Sequence, residues 1–418
     1  MHKKRELYEI GEMPPPGVVP DLMYAALVRP ERYGPPKDSI KIEAVPVPKC
    51  GDSQVLVLVM AAGINFNAVW AALGYPLDVI ALRQKRGESE PFHIGGTEGA
   101  GVVWATGPRV KSVKVGQPVI VTGCRYDEQA YDVRMGAEPV ASTSLSVWGY
   151  EDNWGSYAQF TVVEEYQCFP KPPELTWEEA ASFMVSAGTA YRQLTHWVPH
   201  TVRPGDPVLI WGGAGGLGSF AIQITRMLGG IPVAVVSSDS KVEYCQRLGA
   251  AGVINRTEFT HWGRIPDFED TQAFSAWLKG ARAFGERFWL VLGQRRNPKI
   301  VFEHAGRDTL PTSVFMCDNA GMVVICGGTS GYNGDIDLRF LWMRSKRLQG
   351  SHCASTQELA QVNSLMARKL LTPCVGEVAP FEHIAQIHQT TYENRNPPGK
   401  QAVLINAPEP GLTDVPRN

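Results

Sequence analysis

PVLIWGGAGGLGSFAIQITRMLGG, residues 207–230, is the stretch that decides the fold. Val208, Leu209 and Ile210 form a short apolar run, which is typical of a strand buried on both faces. A glycine-rich turn follows, and beyond it apolar residues recur at the spacing of one helix face. Glycines let such a turn approach a pyrophosphate, whose charge then meets the free N–H groups at the helix N-terminus. The stretch therefore predicts a dinucleotide-binding strand, turn and helix.

The glycine-rich turn provides the residues that we expect to contact the dinucleotide. A glycine pattern alone is a weak signal, because it also describes any flexible turn. Here the strand before it and the helix after it supply the context that the motif requires. The expected cofactor-binding residues of the turn are Gly213, Ala214, Gly215, Gly216 and Leu217.

Strands and helices alternate beyond this turn. Further apolar strand segments lie at 231–238, 251–255, 299–304 and 321–328, with a helical segment between the first two. Such alternation is the pattern of a parallel, doubly wound sheet with helices on its faces. We therefore predict an α/β fold with a Rossmann cofactor domain.

The end of the second strand indicates which dinucleotide is bound. NAD sites usually place an acidic residue there, on the ribose hydroxyl. This chain instead has Ser237 and Ser238, with Asp239 one position late and Lys241 close behind. Two hydroxyls and a cation suit a 2′-phosphate, which favours NADPH over NADH. The alternative is that Lys241 is an ordinary solvated helix residue.

An insertion interrupts the alternation between Asn255 and Lys299. Its segment TQAFSAWLKGARAFGERFWLVLG has apolar residues at helical spacing, with Lys and Arg between them. An amphipathic helix of this kind can cover the sheet edge or meet another subunit, or it can present a basic clamp to a phosphorylated substrate. The residues favour neither interpretation.

The chain on either side of the cofactor domain predicts a second domain. Residues 20–170 contain many short strand-like runs broken by Gly and Pro, a pattern that belongs to a compact all-β barrel. The closing segment KQAVLINAP indicates that the chain returns to this barrel. We predict a β-barrel catalytic domain at 1–185, the cofactor domain at 186–344 and a return segment at 345–418.

Composition and charge exclude several classes of protein. At 418 residues, the chain exceeds what one hydrophobic core usually organises. A formal net charge of -2 gives no case for binding nucleic acid or an anionic membrane. No segment approaches the run of ~18 apolar residues that a membrane-spanning helix needs. The eight cysteines are scattered singly without a disulfide pattern, which fits a reducing cytoplasm.

The segment HIGGTEGAG, residues 93–101, raises the question of a metal site. Zinc alcohol dehydrogenases of the medium-chain family present a metal-binding histidine before Glu in such a glycine-flanked motif, but Thr97 takes that place here. A structural zinc lobe is normally signalled by close cysteine spacings, and C-x-x-C does not occur. We predict no bound metal, and we expect His93 to be a loop histidine with an ordinary partner.

The motifs together resemble those of a known family. The order of barrel, cofactor domain and return segment, with GINFNAVW, GTEGAG and WGGAGGLGS, looks like a zinc-free medium-chain reductase, which implies a GroES-like barrel. More narrowly, WGYEDNWGSYAQF, IVFEHAGRDT and LRFLWMRSKRLQGSH resemble crotonyl-CoA carboxylase/reductases, and this resemblance spans nearly the whole chain. Generic reductases of the superfamily lack these blocks, so the narrower resemblance is specific.

The resemblance implies NADPH-dependent reductive carboxylation of an enoyl-CoA, most simply of crotonyl-CoA with CO2 to ethylmalonyl-CoA. Hydride adds to Cβ, and the resulting enolate takes CO2 if donors hold the gas over Cα and water is kept away. The alternatives are a plain enoyl-thioester reductase, whose enolate takes a proton, and a non-catalytic NADPH-binding protein of the crystallin type. The resemblance also implies a homotetramer, a dimer of dimers.

Carried over residue by residue, the resemblance assigns four catalytic residues and one CoA contact. Asn67 is expected to donate to one CO2 oxygen, and the backbone around Tyr150 to bind the other end. Glu151 and His352 are expected to fix an ordered water. Arg339 is expected near the CoA phosphates, unless it only belongs to an exposed basic face. Equally, Asn67 could cap a turn, Glu151 could form an ion pair and His352 could be a core histidine.

Overall fold

The computed structural model describes residues 4–415. The chain divides into two compact units, one formed by Met1–Val185 with Ala354–Asn418 and the other by Ser186–Cys353. The first boundary lies at the position expected from the sequence. The second lies at 353, whereas the sequence placed it at 344.

The later second boundary has a structural cause. Residues Arg347–Gly350 form a strand that pairs in parallel with Met322–Ile325, so they belong to the sheet of the second unit. The return segment therefore begins at Ala354 and not at 345.

The strands are numbered in chain order. They are β1 (Leu22–Val28), β2 (Lys41–Pro46), β3 (Gln54–Gly63), β4 (His93–Ile94), β5 (Glu98–Thr106), β6 (Pro118–Thr122), β7 (Cys124–Arg125), β8 (Ser146–Val147), β9 (Phe160–Glu164), β10 (Cys168–Pro170), β11 (Pro207–Ile210), β12 (Ile231–Val236), β13 (Gly252–Asn255), β14 (Ile300–Glu303), β15 (Met322–Ile325), β16 (Arg347–Gly350), β17 (Val375–Pro380) and β18 (Lys400–Leu404).

The α-helices are numbered in the same way. They are α1 (Pro36–Ser39), α2 (Phe66–Leu73), α3 (Val79–Lys85), α4 (Tyr131–Arg134), α5 (Trp177–Ala180), α6 (Met184–Thr195), α7 (Gly216–Met227), α8 (Val242–Arg247), α9 (Thr271–Leu292), α10 (Leu310–Met316), α11 (Leu338–Trp342), α12 (Thr356–Ala367) and α13 (Ile384–Tyr392). Within residues 4–415, none of the helices combines the length and the apolar character that crossing a membrane requires.

The first unit is built around a mainly antiparallel sheet. Its strand order is β10-β6-β5-β3-β18-β17, and β9 also pairs with β3. Strand β18, from the end of the chain, lies beside β3 and places Lys400 near the end of that strand. Inward-facing residues of these strands form a valine-rich core that includes Val55, Val57, Val103, Val119, Val121 and Val163.

The second unit contains a six-stranded parallel sheet of order β13-β12-β11-β14-β15-β16. In chain order within the sheet this is 3-2-1-4-5-6, the arrangement of dinucleotide-binding folds. The sheet has one strand more than the sequence predicted. Strand β16 escaped notice because its residues alternate between partly buried and exposed and offer no apolar run.

The insertion forms the long helix α9. Asp270 caps its start by accepting a hydrogen bond from the backbone N–H of Ala273 at 2.9 Å. Its inner face carries buried aromatic side chains, and Phe284 stacks on Trp211 with 5.5 Å between ring centroids. The apolar face of the helix therefore packs on the sheet of its own unit.

Candidate active site and cofactor site

A hydrogen-bonded network occupies the position at which the metal motif would present its histidine. The Asn65 side-chain amide donates to Thr97 Oγ1 at 3.0 Å and to Glu98 Oε1 at 2.9 Å. Lys400 Nζ lies 2.8 Å from Glu98 Oε1 and also donates to the Asn65 carbonyl oxygen. Glu98 and Lys400 are both buried. The network ties β5 to β18 and to the turn before α2.

The donor set of this network is unsuited to zinc. Zinc sites in proteins are built from thiolates, imidazoles and carboxylates. Here an amide and a hydroxyl bond to each other, and the one carboxylate, Glu98, is already engaged by Lys400 and by the backbone N–H of Val185 at 2.9 Å. The absence of zinc remains a prediction, and this pairing gives it a physical basis.

Asn67 is the second residue of α2 and is half-buried. Within residues 4–415 its side-chain amide makes no hydrogen bond. It lies inside the helix rather than at its cap, so it does not serve as a turn cap. Trp70, three residues further on, shares its helix face, and the Trp70 ring lies 6.1 Å from that of Tyr150. Asn67 therefore lies on the face of α2 that packs against Tyr150.

The loop at Val147–Asp152 gathers three backbone N–H groups on one carbonyl. The N–H groups of Tyr150, Glu151 and Asp152 lie 3.1, 2.9 and 3.2 Å from the Val147 oxygen. A carbonyl oxygen has two lone pairs, so three donors cannot all be well satisfied. Three donors therefore share the two lone pairs of this oxygen.

Glu151 and Gly149 fix the shape of this loop. Glu151 Oε2 accepts a hydrogen bond from the Val147 N–H at 2.9 Å, and Glu151 forms no ion pair with a Lys or Arg within residues 4–415. Gly149 has a φ of 73°, and a Cβ there would collide with the carbonyl of Gly96. Only glycine fits at 149, and the carboxylate of Glu151 has a structural role in the loop.

His93 differs from what the sequence led us to expect. It is 1% exposed in β4, and neither ring nitrogen has a hydrogen-bond partner within the described chain. Burial, together with the positive charge of Arg83, lowers the pKa of His93 to about 3. The imidazole is therefore neutral at physiological pH, and it is a core residue rather than a loop residue.

The four predicted catalytic residues are divided between the two units. Asn67, Tyr150 and Glu151 lie in the first unit, where the Trp70 ring, on the helix of Asn67, lies against the Tyr150 ring. His352 follows β16 in the second unit and is exposed, so it is not a core histidine.

The glycine-rich turn between β11 and α7 has the geometry expected of a dinucleotide site. Gly213 donates its N–H to the Val235 carbonyl at 2.9 Å, which anchors the turn to the neighbouring strand. A Cβ on Gly218 would collide with the Gly212 carbonyl, so the helix approaches the turn as closely as backbone allows. Gly215 caps α7 without a side chain, which leaves the first N–H groups of the helix open to an anion.

The other predicted turn residues line the same corner. Ala214 is buried, whereas Gly216 and Leu217 are half-buried at the start of α7. The turn therefore presents mainly backbone to a ligand, as pyrophosphate binding requires.

The predicted 2′-phosphate residues follow β12. Lys241 is half-buried, and its Nζ donates to Ser237 Oγ at 3.4 Å. Ser238 and Ser240 bond to each other through their hydroxyls at 2.8 Å. Burial lowers the pKa of Lys241 from its usual value. Lys241 is thus aimed at the end of the strand and is not an ordinary solvated residue.

Asp239 does not take the position of the carboxylate in an NAD site. Its Oδ1 accepts a hydrogen bond from the Asn255 side-chain amide at 2.9 Å. This contact ties the carboxylate to the end of β13, and the serines at 237 and 238 remain closest to the strand end. No feature of the sequence pointed to Asn255.

Arg339 and its neighbouring cations are largely engaged. Arg339 is exposed and binds Asp337 through two nitrogens, at 3.0 and 2.7 Å. Lys346 Nζ donates to the Val314 carbonyl at 2.8 Å, near the end of α10. The basic cluster expected to bind CoA is therefore partly structural, and an exposed ion pair such as Arg339 with Asp337 can still open.

Two family models match the chain. The alcohol dehydrogenase GroES-like domain covers residues 51–173, and the zinc-binding dehydrogenase model covers residues 216–368. The crotonyl-CoA carboxylase/reductase of Cereibacter sphaeroides is 44% identical over 98% of this chain and 94% of its own length. The chain belongs to the crotonyl-CoA carboxylase/reductase family.

Solved structures of this family agree with the fold. Crotonyl-CoA carboxylase/reductase AntE in complex with NADP is 60% identical, covers 97% of this chain and 100% of its own, and has a TM-score of 0.93. The 2-octenoyl-CoA carboxylase reductase CinF in complex with NADP and 2-octenoyl-CoA is 38% identical, covers 94% and 90%, and has a TM-score of 0.86. The predicted fold class, a GroES-like domain with a Rossmann domain, is confirmed.

Proposed function

We propose that the protein catalyses the NADPH-dependent reductive carboxylation of an α,β-unsaturated acyl-CoA, with crotonyl-CoA and CO2 giving ethylmalonyl-CoA. The observation that supports this proposal is the Asn67 amide, which has no hydrogen-bond partner within residues 4–415, on a helix whose Trp70 ring lies against Tyr150, in a chain of the crotonyl-CoA carboxylase/reductase family. The NADP complexes of AntE and CinF support the choice of cofactor. The serines and Lys241 after β12 fit its 2′-phosphate.

NADPH, when bound, supplies the hydride that adds to Cβ of the enoyl thioester. The charge then develops on Cα and the thioester oxygen, and the enolate reacts with whichever electrophile is nearest. A held CO2 wins over water only if its approach is prepared before the enolate forms. The task of the first unit is therefore to place CO2 and to keep water out.

Asn67 and the loop at Val147–Asp152 are suited to holding CO2. The Asn67 amide is a donor without a competing acceptor in the described chain, and the loop offers an N–H group from its overloaded carbonyl contact. Two donors on opposite oxygens orient a linear molecule. Trp70, with Phe66 at 5.3 Å and Tyr150 at 6.1 Å, forms an aromatic wall that disfavours water.

Glu151 acts on the site in two ways. Its Oε2 atom holds the loop through the Val147 N–H, which positions the Tyr150 backbone. Its second carboxylate oxygen is the group that we assign, together with His352, to an ordered water. Glu151→Gln retains an oxygen that can accept from Val147, whereas Glu151→Ala loses both contacts, so the two variants separate the roles.

The decisive experiment follows NADPH oxidation with crotonyl-CoA, with and without bicarbonate and carbonic anhydrase, and identifies the acyl product by mass spectrometry. Ethylmalonyl-CoA as the main product at saturating bicarbonate supports the proposal. Butyryl-CoA alone would assign the protein to the plain reductases. A relative that bears that name, the crotonyl-CoA reductase of Streptomyces collinus, is 36% identical over 90% of this chain and 84% of its own. Binding of NADPH without turnover would indicate the non-catalytic alternative.

The assembly state is part of the same proposal. We propose a homotetramer, a dimer of dimers, as the resemblance implies. Light scattering of the purified protein at micromolar concentration measures its mass directly. A monomeric mass with full carboxylation activity would remove the tetramer from the proposal without affecting the reaction.

A further inference from the structure

We propose that Arg256 is a determinant of NADPH specificity and that it forms, with Lys241 and Ser237, a clamp for the 2′-phosphate of the adenosine ribose. The sequence motifs gave no indication of this residue. The proposal deepens the proposed function, because it rests on NADPH being the cofactor. It concerns binding and can be tested whether or not the protein carboxylates.

Arg256 lies beside Ser237 because of the sheet register. Strands β12 and β13 run in parallel, and Val236 is the register partner of Asn255. Ser237 and Arg256 are the next residues along each chain, so both leave the sheet at its carboxyl edge, on strands about 4.8 Å apart. Ligands of open α/β sheets bind at this edge, and the end of the second strand is where the adenosine ribose is read.

The guanidinium of Arg256 has no acidic partner in the part of the chain that the structure describes. Arg256 is half-buried, and within residues 4–415 it forms no ion pair. The acidic residues of the neighbouring turns and helix are engaged elsewhere. Asp239 accepts from Asn255 at 2.9 Å, Glu243 pairs with Arg247 at 3.0 Å, and Glu258 pairs with Arg287 at 3.4 Å.

Within residues 4–415, Lys241 and Arg256 therefore share one corner and neither forms an ion pair. The pKa of Lys241 is lowered chiefly by burial, and the positive charge of Arg256 contributes to the same shift. Holding like charges together in a partly buried position is unfavourable in the absence of a ligand. A dianionic phosphate monoester bound between them attracts both cations and so offsets their repulsion.

The chemistry of the corner fits a phosphate monoester better than a ribose hydroxyl. A guanidinium can bind two phosphate oxygens with parallel N–H donors, an ammonium can bind the third oxygen, and the Ser237 hydroxyl can add a donor. A free 2′-hydroxyl needs an acceptor, and Asp239, the carboxylate that follows the strand end, is bound by Asn255. CoA also carries a phosphate on its adenosine ribose, at the 3′ position, so the experiment must separate the two nucleotides.

The test measures dissociation constants by calorimetry for NADPH, NADH, 2′-AMP and 3′-AMP. The proteins are the wild type, Arg256→Gln, Arg256→Lys, Lys241→Gln and the control Arg247→Gln, which removes an exposed cation of α8 that is paired with Glu243. Thermal unfolding of each variant verifies the fold. Arg256→Lys keeps the charge, so it provides a second reading if the Gln variant is unstable.

Arg256→Gln should weaken NADPH and 2′-AMP by roughly ten- to a hundredfold, the range for losing a hydrogen bond to a charged group. NADH affinity should stay within about twofold, Arg256→Lys should retain part of the 2′-AMP affinity, and Arg247→Gln should resemble the wild type. Equal losses for NADPH and NADH would overturn the proposal. So would a loss of 3′-AMP binding with 2′-AMP unaffected, which would assign the corner to CoA. The carboxylation product does not enter these measurements, so failure of the proposed reaction is a separate outcome.

Discussion

The cofactor turn and the loop of Tyr150 are built in opposite ways. The turn between β11 and α7 is continuous in sequence, and its contacts are those of backbone atoms, such as the Gly213 N–H with the Val235 carbonyl. The loop depends on side chains from separate parts of the chain, because Trp70 of α2 packs on Tyr150 and Glu151 holds Val147. A backbone site tolerates most changes around it, whereas a site made of side chains fails when one of them is lost.

The largest effect is expected from the ion pair that supports the first unit. Lys400→Met leaves the buried Glu98 carboxylate without its cation, which should lower the free energy of unfolding by about 3–5 kcal/mol. Urea unfolding of the first unit measures this loss. Adding Glu98→Gln to Lys400→Met should recover part of it, because the uncompensated charge is removed.

The control for this variant is Arg247→Gln in the second unit. It breaks an exposed ion pair with Glu243, and such pairs contribute little to stability. If Lys400→Met is no less stable than Arg247→Gln, the buried network does not support the first unit.

Acid should also destabilise the first unit. Burial, with a smaller effect of Lys400, lowers the pKa of His388 to about 4, below the usual 6.5. Between these two values the unfolded chain binds more protons than the folded chain. The free energy of unfolding therefore falls as the pH drops from about 6.5 to 4, and this group alone accounts for about 3 kcal/mol of the loss. His388→Gln should make the acid limb of a stability-versus-pH curve shallower. His383→Gln, on the exposed turn before the same helix, should leave it unchanged, and identical limbs in both variants would contradict the assignment.

The partition between carboxylation and reduction tests the side-chain site itself. Asn67→Leu removes a donor from CO2 but leaves the hydride acceptor placed by the cofactor and CoA sites. Losing a donor to a full oxyanion costs ~2.7–4 kcal/mol, and CO2 carries less charge. Even ~1.4 kcal/mol shifts a competition tenfold. The product ratio should therefore move about tenfold from ethylmalonyl-CoA towards butyryl-CoA.

A second substitution separates hydrogen bonding from bulk at this position. Asn67→Asp has nearly the same shape but lacks the amide donor, so it should shift the ratio in the same direction. Glu151→Ala and His352→Asn should do so by loosening the ordered water. Unchanged ratios at saturating bicarbonate in all of these variants would mean that CO2 is held elsewhere.

The difference between the two regions also explains what the sequence could predict. The sequence predicts the turn at 212–218 because the strand, the glycines and the helix follow one another directly in the chain. The contact between Glu98 and Lys400 joins distant segments, so no local pattern predicts it. One signal was available: Lys400 begins the apolar strand KQAVL, and a lysine is seldom fully buried without a charged partner. No feature of the local sequence pattern signalled strand β16, or that the buried His93 ring would have no hydrogen-bond partner within residues 4–415. The roles of Asn67 and Tyr150 came from the resemblance, and the contact of Trp70, on the helix of Asn67, with Tyr150 came from the fold alone.

The smallest effect is expected at Arg339, whose guanidinium is already paired with the Asp337 carboxylate. If Arg339 contacts the CoA phosphates, Arg339→Ala should weaken crotonyl-CoA binding by only about two- to threefold at low salt, because exposed ion pairs contribute little. Asp337→Asn sharpens the test. It preserves the cap that Asp337 provides to the Arg339 N–H at 2.9 Å, since asparagine caps helices equally well, but it releases the guanidinium. Asp337→Asn should therefore tighten crotonyl-CoA binding at low salt and lose this gain at high salt. If both substitutions leave the affinity unchanged at low salt, Arg339 belongs to an exposed basic face and does not bind CoA.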